Sequence, residues 1–166
     1  MSTSRPGWVK AVQGYDRRAD NLRHQQSLIA DERAVTIATV VAGYGRGGRN
    51  RAAAELAVSV GQVDEAIKRA RSVYARELAE TPPLTAGLWQ ALVGIMHGTL
   101  VDVTWLDQPG QLLAGEVEDA IGEDVDEDED EAAILAAAAR SWSRIQALAV
   151  LDAIGRRDLD ALPTKE

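Results

Sequence analysis

Apolar residues fall at steps of three and four in three well-separated stretches of this chain, and that spacing narrows its fold more than any other feature. Ala34, Ile37, Ala38 and Val41 form one set; Leu88, Leu92, Ile95, Met96, Val103 and Leu106 a second; Ile134, Ala138, Trp142, Ile145, Leu148 and Leu151 a third. One face of an α-helix presents residues at these steps, whereas a half-buried strand alternates every second residue. The chain has no Phe, so Ala, Leu, Val, Ile and four Trp must fill its core. Such side chains favour helix over sheet. An all-α protein is expected, and 166 residues suffice for one ordinary domain or two small ones.

Local punctuation divides the helices. Residues 8–30 read as a polar, arginine-bearing helix interrupted near Gly14, with Asp31 capping a second helix through residue 42. The run Gly43-Tyr-Gly-Arg-Gly-Gly48 stops that helix, because clustered glycines destabilise helix and permit positive φ. A short helix follows at 51–57, a brief turn at Val58 and Ser59, and a longer helix at 61–80. Thr81-Pro82-Pro83 ends it, since proline lacks a donor and restricts the residue before it. This places a domain boundary between 1–80 and 84–160.

Thr85 is positioned to cap a helix over 86–106, although Val101, Val103 and Trp105 alternate with polar residues as a strand would. Helix is preferred there. Pro109-Gly110 reads as a turn and 111–121 as a short helix. Eight of the nine residues at 123–131 are acidic, and their repulsion favours a solvated segment. The third periodic set predicts one long helix over 132–154, terminated by Gly155.

The net charge of −8 hides a split. Residues 1–78 hold 13 Lys/Arg against 8 Asp/Glu, while residues 79–166 hold 5 against 18. Only the first half can approach phosphates favourably. The chain contains no Cys, which excludes disulfides, thiolate metal sites and thiol nucleophiles and fits a reducing cytoplasm. The first seven residues lack the apolar core of a secretory signal. The longest apolar segment, near residues 88–106, is broken by Gln90, His97 and Asp102, so no membrane span is expected.

Within the basic half, residues 51–70 have the makings of two short crossing helices. Ala53 is small enough to lie beneath a crossing helix. Ala57, Val58 and Ser59 offer a tight turn, an apolar plug and a hydroxyl cap; Val63, Ala66 and Ile67 face back into the unit. This run, Arg51-Ala-Ala-Ala-Glu-Leu-Ala-Val-Ser-Val-Gly-Gln-Val-Asp-Glu-Ala-Ile-Lys-Arg-Ala70, resembles the helix-turn-helix of bacterial and phage DNA-binding proteins. The resemblance covers about twenty residues and is at motif level.

It implies a sequence-specific transcriptional regulator, a repressor, that binds double-stranded DNA as a homodimer, with residues 84–160 as the dimerising region. Gln62, Asp64 and Glu65 would meet base edges, Ser59 and Gly61 would open the reading helix, and Arg46, Arg49, Arg51, Lys68, Arg69 and Arg71 would hold phosphates. Two departures stand out. Ala57 occupies a position where such motifs commonly carry Gly, and Asp64 and Glu65 place carboxylates on the reading face.

Two other functions fit the same sequence. A phage small terminase subunit also joins such a motif to an oligomerising helical region, and an acidic helical adaptor would use residues 123–131 against basic protein partners. Nothing points to an enzyme or a cofactor. His24 and His97 have no partner at chelating spacing, and the acidic run lacks the glycine a calcium loop requires at its sixth position. The glycines at 43–48 follow a helix rather than a strand, which is the wrong context for nucleotide binding. No small-molecule effector is legible.

Overall fold

The structure, a computed structural model describing residues 7–96, 108–121 and 129–165, is all-α apart from one two-stranded clasp. Among the described residues there are seven α-helices: α1 (Gly7–Tyr44), α2 (Gly48–Leu56), α3 (Val60–Ala79), α4 (Ala86–Met96), α5 (Pro109–Ile121), α6 (Glu129–Ser141) and α7 (Arg144–Gly155). The stretches at 97–107 and 122–128 lie outside this description, and with them the helix-or-strand question after Gly98 and most of the acidic run.

The first departure from expectation is α1, which is one helix of 38 residues rather than two. Gly14 does not interrupt it. A helical glycine costs about 1 kcal/mol, which neighbouring turns absorb. Nor is Asp31 a cap. It lies in mid-helix, buried, with its carboxylate turned to two arginines of α3 instead of its own backbone.

The helix ends where the glycines begin. Gly45 and Gly47 adopt φ of 62° and 84°, and a Cβ on Gly48 would lie 2.5 Å from the carbonyl oxygen of Val41. The chain can therefore reverse tightly enough for α2 to start at Gly48, three residues earlier than expected. The C-terminal part of α1, from Asp31 on, packs with α2 and α3 as a trihelical unit around Ala34, Val35, Ala53, Val63 and Ala66.

After α3, the Thr81 hydroxyl donates to the Glu77 carbonyl at 2.8 Å, and Pro82-Pro83 lead into strand β1 (Leu84–Thr85). β1 pairs in parallel with β2 (Thr164–Lys165), Leu84 opposite Thr164, and the Trp89 indole donates to the Pro163 carbonyl at 2.8 Å. The C-terminal end is thus tied to the start of α4. Thr85 caps α4 as expected, accepting from the Leu88 amide at 3.3 Å.

Pro109 and Gly110 are not a free turn. They form the first turn of α5, where proline's missing N–H has no helical partner to lose. A Cβ on Gly110 would stand 2.6 Å from the Ala139 carbonyl oxygen, so this glycine allows α5 and α6 to close on each other. Arg140 of α6 pairs with Glu118 of α5.

The long helix expected over 132–154 is two helices. Ser143 breaks it: its Oγ accepts from the Gln146 amide at 3.1 Å while Gln146 Oε1 accepts from the Ser143 amide at 2.9 Å. This reciprocal cap starts α7 afresh. The break changes which residues are buried. Leu135 is 1% exposed and Ile134 51%, so Leu135 takes the core position expected of Ile134, while Ala138, Trp142, Ile145, Leu148 and Leu151 of the expected stripe lie in or against the core. Trp142, at the bend, stacks on Trp89 with ring centroids 5.9 Å apart.

One contiguous core runs from Ala34 to Leu162. α7 packs against α3, and Arg144 reaches Glu32 of α1 at 2.9 Å. Tyr74 lies in this seam, where burial pushes its phenol up to about 12. Trp89, Met96 and Trp142, within the stretch expected to dimerise, are buried within the single chain.

Candidate nucleic-acid interface

The turn between α2 and α3 is built as the sequence implied. Ala57 is left-handed (φ 53°, ψ 43°), its amide donating to Ala54 and the Val58 amide to Ala53. That pair of bonds closes the helix end usually sealed by glycine. Ser59 then caps α3: its Oγ accepts from the Gln62 amide at 3.2 Å, and the Gln62 side chain accepts from the Ser59 amide at 3.0 Å. The first turn of α3 is rigid because of this. It also means that Gln62 Oε1 has a structural task, leaving the amide nitrogen as the outward group.

α3 buries Val63, Ala66, Ala70, Val73, Tyr74 and Leu78, with Ala53 beneath the α2–α3 contact. Gly61, Asp64, Glu65, Lys68 and Arg71 are exposed. The face assigned to reading is therefore on the surface of the trihelical unit.

The arginines divide by their partners. Arg46 lies in the glycine turn, exposed, whereas Arg49 and Arg51 lie in the first turn of α2 rather than on a flexible loop. Arg49 reaches across to Asp64 of α3 at 3.1 Å. Arg51 bonds Glu55 at 3.0 Å and lies 3.9 Å over the Tyr44 ring, while the Tyr44 hydroxyl donates to Glu55 at 2.7 Å. The Tyr44 hydroxyl, then Arg51, hold the Glu55 carboxyl below its ordinary range.

Arg69 turns inward. Its Nε meets Asp31 at 2.7 Å and its other arm donates to Ser27. Arg76 meets the second oxygen of Asp31 at 3.2 Å. Arg46, Lys68 and Arg71 form no ion pair with a described residue, so they are the most available cations of the set.

An open cleft of about 690 Å³ lies between α1 and the N-terminal half of α3. It brings Ser59, Gly61, Gln62, Glu65 and Lys68 together with Arg33 of α1. Arg33, Tyr44, Glu55 and Arg76 were not singled out in the sequence, and Asp31 was read only as a helix cap. Local spacing carries a hint only for Glu55, four residues beyond Arg51; the others are set by tertiary contacts. Among the described residues no acidic or histidine cluster could hold a metal ion, and no helix is long and apolar enough to cross a membrane. No protein-family model matches the sequence, and no curated protein or solved structure matches it.

Proposed function

We propose that this chain is a DNA-binding regulator of the helix-turn-helix kind, non-catalytic, acting in the cytoplasm of a bacterium or in phage infection as a homo-oligomer. The observation that carries this reading is the turn itself. A left-handed Ala57, a Ser59–Gln62 capping box and an outward α3 face with Gly61 close to its start occur together in the only basic half of the chain.

In this reading the N-terminal half of α3 enters the major groove. The Gln62 amide nitrogen and the Glu65 carboxylate meet base edges, and Lys68 and Arg71, one and two turns further along, meet phosphates. Arg46 and Arg49 reach the flanking backbone. Arg49 exchanges Asp64 for a phosphate on binding, and Asp64, released, can accept from a cytosine amino group. Arg51 and Arg69 act differently from the others: one fixes α2 to α1, the other fixes α3 to α1, and both shape the unit that docks.

The acidic second half restricts approach to one face, since it repels phosphates wherever the basic face does not lead. Retention of a subset of genomic fragments in the presence of excess competitor duplex tests the proposal. Specific retention supports it; equal loss of every fragment argues against sequence reading.

A further inference from the structure

The part of α1 that precedes Asp31 carries large apolar side chains into solvent. Trp8 is 71% exposed, Leu22 61% and Ile29 69%, and Val12 and Tyr15 are exposed with them. Their spacing alternates four and three. Trp8, Val12, Tyr15, Ala19, Leu22, Gln26 and Ile29 occupy consecutive d and a positions of a heptad, a pattern of just over three repeats.

This seam is not the face α1 uses against α3. Ala34 and Val35, at the centre of the buried stripe, lie about half a turn around the helix from Ile29. The trihelical unit therefore leaves the seam uncovered. A solvated helix that contains Gly14 and projects five apolar side chains gains little from propensity and much from packing.

Charge at the flanking positions distinguishes the two ways a second copy can lie along it. With the copies parallel, Arg18 at g faces Arg23 at e of the second copy, a repulsion repeated on both sides. With the copies antiparallel and Ala19 opposite Leu22, Asp16 faces Arg23 twice along the e edge, the two pairs related by the two-fold axis, and Arg18 faces the neutral Gln25 along the g edge. Arg23 already holds Asp20 of its own helix at 2.8 Å, and its remaining donors are free to take the second carboxylate. The same register sets Val12 against Ile29 and Tyr15 against Gln26. Each large side chain meets a smaller or more flexible one.

We propose that residues 12–29 pair with the same residues of a second copy of this chain as an antiparallel two-stranded coiled coil. The two-fold axis falls between Asp20 and Asn21, so the two Asp31 positions stand about 30 Å apart at a rise of 1.5 Å per residue. That distance is comparable with one turn of B-DNA, about 34 Å, which the regulator reading welcomes but the pairing does not require.

The test needs no nucleic acid, so its outcome is separate from that of the DNA reading. By light scattering after size exclusion, the unaltered chain has the mass of two copies. Leu22→Glu reduces it to one while circular dichroism retains the signal of the packed helices and loses at most that of the unpaired part of α1, and Leu28→Glu, exposed but off the seam, leaves two. The chain lacks Cys, so introduced thiols report orientation without background. An equimolar mixture of Val12→Cys and Ile29→Cys chains oxidises to a mixed dimer, and neither crosslinks alone, because like positions lie about 25 Å apart, far beyond disulfide reach. A monomeric unaltered chain, an assembly indifferent to Leu22→Glu, or self-crosslinking of the Val12→Cys chain overturns the proposal.

Discussion

Asp31 of α1 accepts a hydrogen bond from Arg69 of α3 at 2.7 Å, although 38 residues separate them in the chain. With Arg76 on the other oxygen, this carboxylate fixes the orientation of the whole outward helix against α1. Burial raises the carboxyl's pKa; the hydrogen bonds and charges of the two guanidiniums outweigh it, and Asp31 titrates below its ordinary range.

Replacing Asp31 by Ala removes the carboxylate that two arginines share, leaving Arg69 with Ser27 and Arg76 with Glu77. Because both are about half exposed, water recovers part of the loss, and the expected destabilisation is about 1–2 kcal/mol in urea unfolding near neutral pH. The pH dependence has a definite sign. A depressed folded-state pKa contributes stability above the unfolded value, about pH 4, and loses it as pH falls through the folded value. Asp31→Ala should therefore show a shallower acid limb than the unaltered chain; an unchanged limb would assign acid sensitivity to other groups.

At Ala57 the expectation runs the other way. A left-handed alanine is strained by about 1–2 kcal/mol, and glycine relieves that while losing some backbone entropy. Ala57→Gly should stabilise the chain by a few tenths to about 1 kcal/mol in thermal unfolding. Destabilisation would mean that the Ala57 methyl makes contacts that outweigh its backbone strain.

Ser143 separates α6 from α7 and sets the position of Trp142. Ser143→Ala removes one half of the reciprocal cap and should cost about 1 kcal/mol. Since Trp142 stacks on Trp89, a shift in tryptophan emission should accompany the loss. Lower stability with unaltered emission would confine the effect to the cap.

Much of this fold is legible in local signals. The glycines at 45 and 47, the prolines at 82 and 83, and Thr85 end or start helices close to where the structure does, because each acts through its own backbone. Asp31 was not legible: its spacing fits a cap, and only arginines from a distant helix make it a buried clamp. The break at Ser143 was written locally, as Ser143-Arg-Ile-Gln146, but an unbroken run of apolar steps masks a capping box. The β1–β2 clasp is two residues on each strand from opposite ends of α4–α7, too short for alternation to register. At the candidate site, exposure of the α3 face followed from periodicity. The pairings of Arg49 and Arg69 did not, since they depend on which helix lies across the way, whereas Arg51 pairs with Glu55 one turn along its own helix.

The most direct measurement is the affinity of the unaltered chain and of Lys68→Ala/Arg71→Ala for one duplex across a range of salt. DNA binding through these residues predicts log affinity falling linearly with log salt, with a slope shallower in the double variant by about two, near 0.9 for each lost phosphate contact. Equal slopes would remove α3 from the interface, and no binding even at low salt would contradict the account outright.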